Sequence, residues 1–571
     1  AGKNMSNGLI HEVKLNPLVE IHLPDGRVFS GPRGTPVGTF IKALPDWEKK
    51  PLMGAVINGE LRELTFPIDI ESRVQPLTMA DSDGALIYRR SLTFILEAAF
   101  EDLFPDHYLS VDHAVSSGGF FCEVQNHAPL TPDDIQKLET HMREIVKADK
   151  KFERKKVPLK EAIDYFAKKG QTDKTRLLKY RTKDYLILYA LDDHFDYFHG
   201  YMVPSTGYLR WFELIPVEGG FILHFTRRHR PTELLPISYS TRLLSTFRQY
   251  GNWLTRLGIE NVGALNDAIE SGKIREVILV SEALHEQRIS DIAHQILNRN
   301  PRPLVVLISG PSSSGKTTFS KRLSVQLLAQ GISPFPFEMD NYFVDREETP
   351  KDENGQFDFE SLNALNIPLL TDHLKRLINN EEVELRRYNF KTGKNEPGEI
   401  VHLKKDQMII IEGIHGLNPA LLPKFPMEMA YRIYVSCLTQ LNLDRYNRIA
   451  TTDTRLLRRT VRDARERGYS ASETFQHWDS VRLGEQRHIF PYQDNADEIF
   501  NSALAYDLSA LKSYAEPLLR QVPFGTPEYI EAKRLLAFLE WFLPLDVDLI
   551  PDNSILREFL GNSILKDFKL W

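Results

Sequence analysis

The sequence predicts a multidomain chain: α+β in its first half, and α/β with a parallel sheet flanked by helices in its second. Three observations carry this. At 571 residues the chain exceeds one domain, since about 150 residues per domain gives roughly four. Up to about residue 228, short alternating apolar runs joined by turn signals read as hairpin strands. Beyond residue 303, unbroken apolar runs alternate with helical stripes, as expected of parallel strands covered on both faces.

Taken in order, LVEIHLPDGRVFSG from Leu18 reads as two strands turning at Pro24-Asp25-Gly26, and AVINGELREL as two more turning at Asn58-Gly59. Between Ser91 and Phe104, apolar residues at 92, 95, 96, 99, 100 and 103 predict a helix. FFCEV (120–124) reads as a strand, and Thr131-Pro132-Asp133-Asp134 as the cap of a charged helix. DYLILYAL and GGFILHF are further strands, residues 229–300 are mostly helical, and NRNPRP marks a boundary. The second half then alternates PLVVLISG, a helix KTTFSKRLSVQLLAQ, a strand PFPFEM, a helix IPLLTDHLKRLIN, and strands QMIIIEG and YRIYVSC, with a tail helix AKRLLAFLEWFL. The expected units are a leader 1–17, a small strand-rich unit 18–80, an α+β domain 81–228, a helical connector 229–300, an α/β domain 301–515 and a helical extension 516–571.

Composition excludes several classes. A 42% hydrophobic and 26% charged content is incompatible with wholesale disorder. No run of 18 apolar residues exists, so no transmembrane helix and no membrane partner are expected. The start, AGKNMSNGLIHEVKL, lacks the apolar core of a secretory signal. Two cysteines, Cys122 and Cys437, are too few for a disulfide framework or cysteine zinc site and read as buried small hydrophobes, so a reducing cytoplasm is expected. A net charge of −7 gives no global pull toward nucleic acid.

The chemistry concentrates after residue 303. Gly310-Pro-Ser312-Ser313-Ser314-Gly315-Lys316-Thr317-Thr318 fits the phosphate-loop pattern, placed after a buried-type strand and before a helix. Glycines let backbone amides converge on an anion, the helix N-terminus adds positive potential, Lys316 reaches outer phosphates, and Thr317 offers Mg²⁺ a hydroxyl. Asp340 (in EMDNYF) and Glu412 (in IIIEGIHG) follow apolar strands, where an open α/β sheet places its ligands. One such carboxylate positions Mg²⁺, and a second accepts a hydroxyl proton. In TRLLRRTVRDARERG, Arg455, Arg458, Arg459 and Arg462 share one helix face. That face either neutralises transferring phosphate or is a solvated surface paired with Asp463 and Glu466.

Together these residues resemble the uridine kinase/phosphoribulokinase family of P-loop kinases over 303–515. The resemblance implies ATP and Mg²⁺ as cofactors. It implies Asp340 as base, Lys316 and Arg462 in catalysis, and Arg467 on the nucleotide. By the same likeness Thr317, Glu412 and Asp340 serve the metal, while Asp358 (QFDFESL), Tyr388 (RRYNF) and Arg459 serve the acceptor. Departures are informative: Gly393 stands where a base-reading histidine is expected, His477 replaces a glutamine, Phe343 a tyrosine and Tyr469 a lid arginine. Residues 18–80 resemble the small β-grasp-like TGS unit of threonyl-tRNA synthetases, and 81–228 their editing-type domain. The likeness is carried by RRSLTFILEAAFEDLFP and SSGGFFCEV. The positions of that domain's histidines and cysteine are held by Arg90, Phe94, Phe198 and Met202, which lack its ligand set.

The resemblance implies transfer of a phosphoryl group to a hydroxyl of a nucleoside-like small molecule by a homo-oligomeric protein. The alternatives are an RNA-associated or regulatory ATPase, and a kinase of a sugar or polyol. Asp192-Asp193-His194 to His199 reads as a surface turn before a metal cluster, and KADKKFERKKVPLK (147–160) as a solvated charged face before an RNA contact.

Overall fold

The computed structural model describes residues 12–45 and 50–568, so most of the expected leader (1–11) lies outside the described residues. The second half is built on five parallel strands in the order Ser333–Pro336, Gln407–Glu412, Val305–Ser309, Ala430–Ser436 and Glu498–Asn501. The central strand VVLIS is buried throughout, as its unbroken apolar run requires. Ser333–Pro336 takes the edge because Pro334 and Pro336 cannot donate to a second neighbour. A hairpin, Glu382–Asn389 with Lys394–His402, stands apart from this sheet. The sequence reading missed it because only Val383 and Tyr388 of its first strand are buried, so no apolar alternation betrays it.

The front half opens with a mixed five-stranded sheet, which contains both anticipated hairpins. A four-stranded antiparallel sheet follows, ordered Phe212–Val217, Gly220–Phe225, Gly119–Gln125 and Tyr108–Val115. Against it packs the helix Ser82–Leu103, which begins well before Ser91. Gly84 hid that start, and its role is steric: a Cβ there would lie 2.0 Å from the Thr78 carbonyl oxygen. Thr131 and Asp134 form a reciprocal capping box on Pro132–Lys147. Within the basic run, Glu153–Pro158 is an edge strand, with Lys156 over the Tyr185 ring at 4.1 Å and Lys155 over Phe195 at 5.2 Å. Charge on an edge strand blocks further pairing. The Asp192–His199 acids and histidines diverge: Asp192 pairs with Lys150, His194 lies between Glu101 (3.4 Å) and Asp102 (2.9 Å), and Asp196 meets Lys174. Cys122 and Cys437 are both buried and free.

The halves are packed together. One apolar cluster runs from Ala162 and Phe166 through the connector helices Thr241–Leu257, Val262–Ser271 and Ile274–Asn298 to Val306 and Leu560. The loop 437–450, between the strand Ala430–Ser436 and the helix Thr451–Arg467, docks into the front half. There Arg445 grips Asp173 (2.8 Å), and Asn447 donates to the Tyr197 carbonyl (3.1 Å). Tyr446 is buried within the front core. Lys174, fully buried, meets Asp196 at 2.8 Å from its own half and Asp444 at 3.4 Å from the other.

Candidate active site

The phosphate loop follows the central strand and opens the helix Lys316–Ala329. Gly310 is obligatory, because a Cβ would lie 2.0 Å from the Val435 carbonyl oxygen. Ser313 (φ 59°) and Gly315 (φ 88°) take left-handed conformations, which fold successive amides toward one concavity. The Ser313 and Ser314 hydroxyls are buried without partners. Lys316 Nζ donates to the Pro311 carbonyl at 3.1 Å, and burial holds its ammonium below the ordinary lysine range.

Thr317 Oγ1 donates to Glu412 Oε1 at 3.0 Å. The sheet register causes this: Glu412 is paired with Ile308 on the neighbouring strand, at the carboxyl end of both. Burial raises the Glu412 carboxyl. A hydroxyl beside a carboxylate is the hard-oxygen donor set that suits Mg²⁺. Asp340 lies on the single turn Met339–Tyr342 after the edge strand. That turn is seated against the Glu412 end, since a Cβ on Gly413 would lie 2.7 Å from Met339 Cε. The Asp340 side chain is exposed, and burial of its inner side plus the Glu338 charge pushes its carboxyl above the ordinary 3.8.

The arginine helix Thr451–Arg467 divides its side chains between two jobs. Arg455 and Arg458 are buried against Glu485 and Asp507 (2.7 and 2.6 Å) and donate to the carbonyls of Ser312 (3.0 Å) and Ser313 (3.4 Å). They therefore brace the loop from behind, and a solvated face is the wrong description of them. Arg459, Arg462 and Arg467 surround the buried carboxylate of Asp463 at 3.2, 3.1 and 3.6 Å. Arg459, read above as an acceptor contact, donates to Ser312 Oγ at 2.8 Å, while its charge also acts on Glu360 beside Asp358. It thus links Ser312 of the phosphate loop to the charge of Glu360, two residues from Asp358. The charge of Arg462 reaches Lys316.

Tyr388 is buried with its hydroxyl unpartnered, and its backbone amide donates to Asn341 Oδ1 (3.2 Å), next to Asp340. Around it stand Phe343 (5.5 Å between ring centres) and Phe390 (5.0 Å), with Phe359 5.7 Å from Phe343. Asp358 accepts from the Glu360 amide (3.1 Å), and its charge acts on His415 and His488. His477 is exposed on the helix Ala471–His488. It lies two turns before Gly484, which touches Glu360, so about 10 Å of helix separates it from that contact. Over Gly393, in the left-handed region, lies Arg346, whose Cβ and Nε would each be 2.8 Å from an added Cβ.

Two residues at the loop escaped the sequence reading. Glu485 Oε1 accepts from the Ser312 amide (2.8 Å), and Glu558 Oε2 accepts from the Thr318 amide (3.2 Å). Glu558 belongs to the C-terminal extension, where Ile555, Leu556 and Phe559 are fully buried. A Cβ on Gly315 would lie 2.6 Å from Ile555 Cγ2. No local pattern marks either acid. In the front half, the Phe94 ring is tilted against Phe198 at 5.2 Å and stacked on Phe152 at 5.7 Å, Met202 is buried, and Arg90 donates to the Tyr201 carbonyl (2.6 Å). Two of the four positions that replace the editing ligands are thus in ring contact, within an apolar plug.

Residues 305–509 match the profile of the Phosphoribulokinase / Uridine kinase family, so the second half carries a P-loop kinase-family domain of that description. The front half matches threonine–tRNA ligases. That of Paraburkholderia xenovorans is 31% identical over 205 residues, which is 36% of this chain and 32% of the relative. That of Symbiobacterium thermophilum is 29% identical over 208 residues, with the same two shares. The chain spans about a third of the length of these curated relatives. Among solved structures, "Possible Uridine Kinase from Bacillus stearothermophilus" is 24% identical, covering 38% of this chain and 98% of that one with a TM-score of 0.26. Among the described residues no helix is long and apolar enough to cross a membrane.

Proposed function

We propose that this protein transfers the terminal phosphoryl group of ATP to a hydroxyl of a nucleoside-like small molecule. The hydrogen bond between Thr317 Oγ1 and Glu412 Oε1 carries the reading, because it sets a hydroxyl and a carboxylate side by side at the mouth of the phosphate loop. These two would hold Mg²⁺, which when bound neutralises phosphate charge. Lys316 and the loop amides bind and orient the triphosphate, and Arg462 and Arg467 offset its charge. Asp340 takes the proton of the attacking hydroxyl, and its raised proton affinity suits that task. The unpartnered Tyr388 hydroxyl and the surrounding aromatic rings favour a planar acceptor over a polyol. Catalysis of this kind is mainly positioning and electrostatics.

The deciding experiment incubates the full chain with ATP, Mg²⁺ and a panel of nucleosides, sugars and polyols, reading ADP release together with the mass of the product. ADP release coupled to one ribosyl acceptor is expected. Acceptor-independent hydrolysis stimulated by tRNA would instead favour the regulatory ATPase. A second expectation concerns the acid on the loop. Glu558→Ala removes an anion that competes for the Thr318 amide, so ATP binding should tighten about tenfold, or about 1.4 kcal/mol. Isothermal titration of both proteins checks this, and unchanged affinity would mean Glu558 does not share the nucleotide's position.

A further inference from the structure

At the junction of the two halves lie arginines that no acid neutralises. Arg89 rests 4.7 Å over the Phe225 ring and Arg448 4.4 Å over the Phe120 ring, and those rings are 4.9 Å apart, edge to face. Arg227 runs along the same strand end, its Cδ 2.9 Å from where Gly118 would carry a Cβ. Arg228 is tied to the Ala80 carbonyl (3.0 Å), and Arg482 projects from the helix Ala471–His488. All five are partly buried. Among the described residues Arg89, Arg227, Arg448 and Arg482 have no ion pair, and Arg448 Nε is buried without any partner. The acids whose charge reaches them are engaged elsewhere: Asp453 is held by Arg534 (2.9 and 2.8 Å), and Glu485 by Arg455 (2.7 and 2.9 Å).

Like charges gathered at a half-buried junction repel one another, and an anion placed among them would take charge-assisted hydrogen bonds from several guanidiniums at once. Burial first, and then the charges of Arg227, Arg448, Arg482 and Arg228, push the Arg89 guanidinium down to about 9. We infer that this arginine cluster is a second anion site, distinct from the phosphate loop, which binds a compact phosphorylated small molecule through Arg89, Arg227, Arg448 and Arg482. A small ligand fits better than RNA, because the guanidiniums are recessed between domains and the chain's net charge of −7 opposes a long polyanion. The site also has a route to the catalytic half: Arg482 lies one turn before Glu485, which holds Arg455 and the Ser312 amide. The inference stands whether or not the phosphoryl-transfer reading does.

Titration of the full chain with inorganic pyrophosphate tests it. Wild type should bind two equivalents. Lys316→Ala should lose one, and Arg89→Gln/Arg448→Gln should lose the other, with at least tenfold weaker affinity at the arginine cluster. The double variant should keep or raise the melting temperature, because it removes repulsion. A single equivalent in wild type that is indifferent to Arg89→Gln/Arg448→Gln would overturn the site. So would a large fall in melting temperature, which would make the arginines structural. A labelled tRNA that binds in an Arg89- and Arg448-dependent manner while pyrophosphate does not would replace the small ligand with RNA.

Discussion

Asp340→Asn is expected to lower kcat by about 10²–10⁴-fold, the usual contribution of a positioned general base, while ATP affinity stays within about twofold of wild type. The two outcomes separate because Asp340 sits on the turn Met339–Tyr342, outside the run Gly310–Thr318, and its carboxyl is moved by burial and Glu338 and by no residue of that run. A pH profile adds a signature that a merely structural role would not give. Burial and the neighbouring Glu338 charge raise the Asp340 carboxyl above 3.8, and only its ionised form can accept a proton. The acid limb of kcat/KM therefore sits above that value. Glu338→Gln removes a like charge, favours the ionised form, and should move the limb to lower pH. A limb that does not respond to Glu338→Gln, or an Asp340→Asn variant of near-normal turnover, would remove Asp340 from the role of base.

Lys174→Met should destabilise the protein by about 3–5 kcal/mol, the usual penalty for leaving a buried charge without its partner. Lys174 is fully buried with Asp196 and Asp444, and its charge also acts on the buried Glu97, whose oxygens have no partners. Removing the ammonium leaves these acids to protonate or to admit water. Denaturant titration should show the loss, and Lys174→Met/Asp444→Asn should recover part of it by deleting one stranded carboxylate. Equal midpoints for wild type and Lys174→Met would mean the acids are already neutral in the native protein.

The phosphate half was legible because its signals are contiguous. Gly310–Thr318 is an unbroken run, and Glu412 announces itself as a carboxylate ending an apolar strand. The same logic exposed the edge strand before Asp340. What stayed hidden depends on distant partners: Glu485 and Glu558 meet the loop across 173 and 240 residues. The periodicity of the arginine helix put Arg455, Arg458, Arg459 and Arg462 on one face but could not reveal that Arg455 and Arg458 are buried, because burial of an arginine is fixed by acids supplied from elsewhere. The front half was read correctly where turns were local, as at Asn58-Gly59, and less well where one glycine concealed the start of a long helix.

The anchoring of the last turn has a kinetic meaning. Ile555, Leu556 and Phe559 are locked in the interior, whereas the Glu558 side chain between them retains an open side. A nucleotide can displace that carboxylate by a rotamer change alone, without peeling any backbone from the kinase domain. Loading should then be as fast as a side-chain swing permits, and amide exchange across Arg557–Leu560 should be the same whether nucleotide is present or absent.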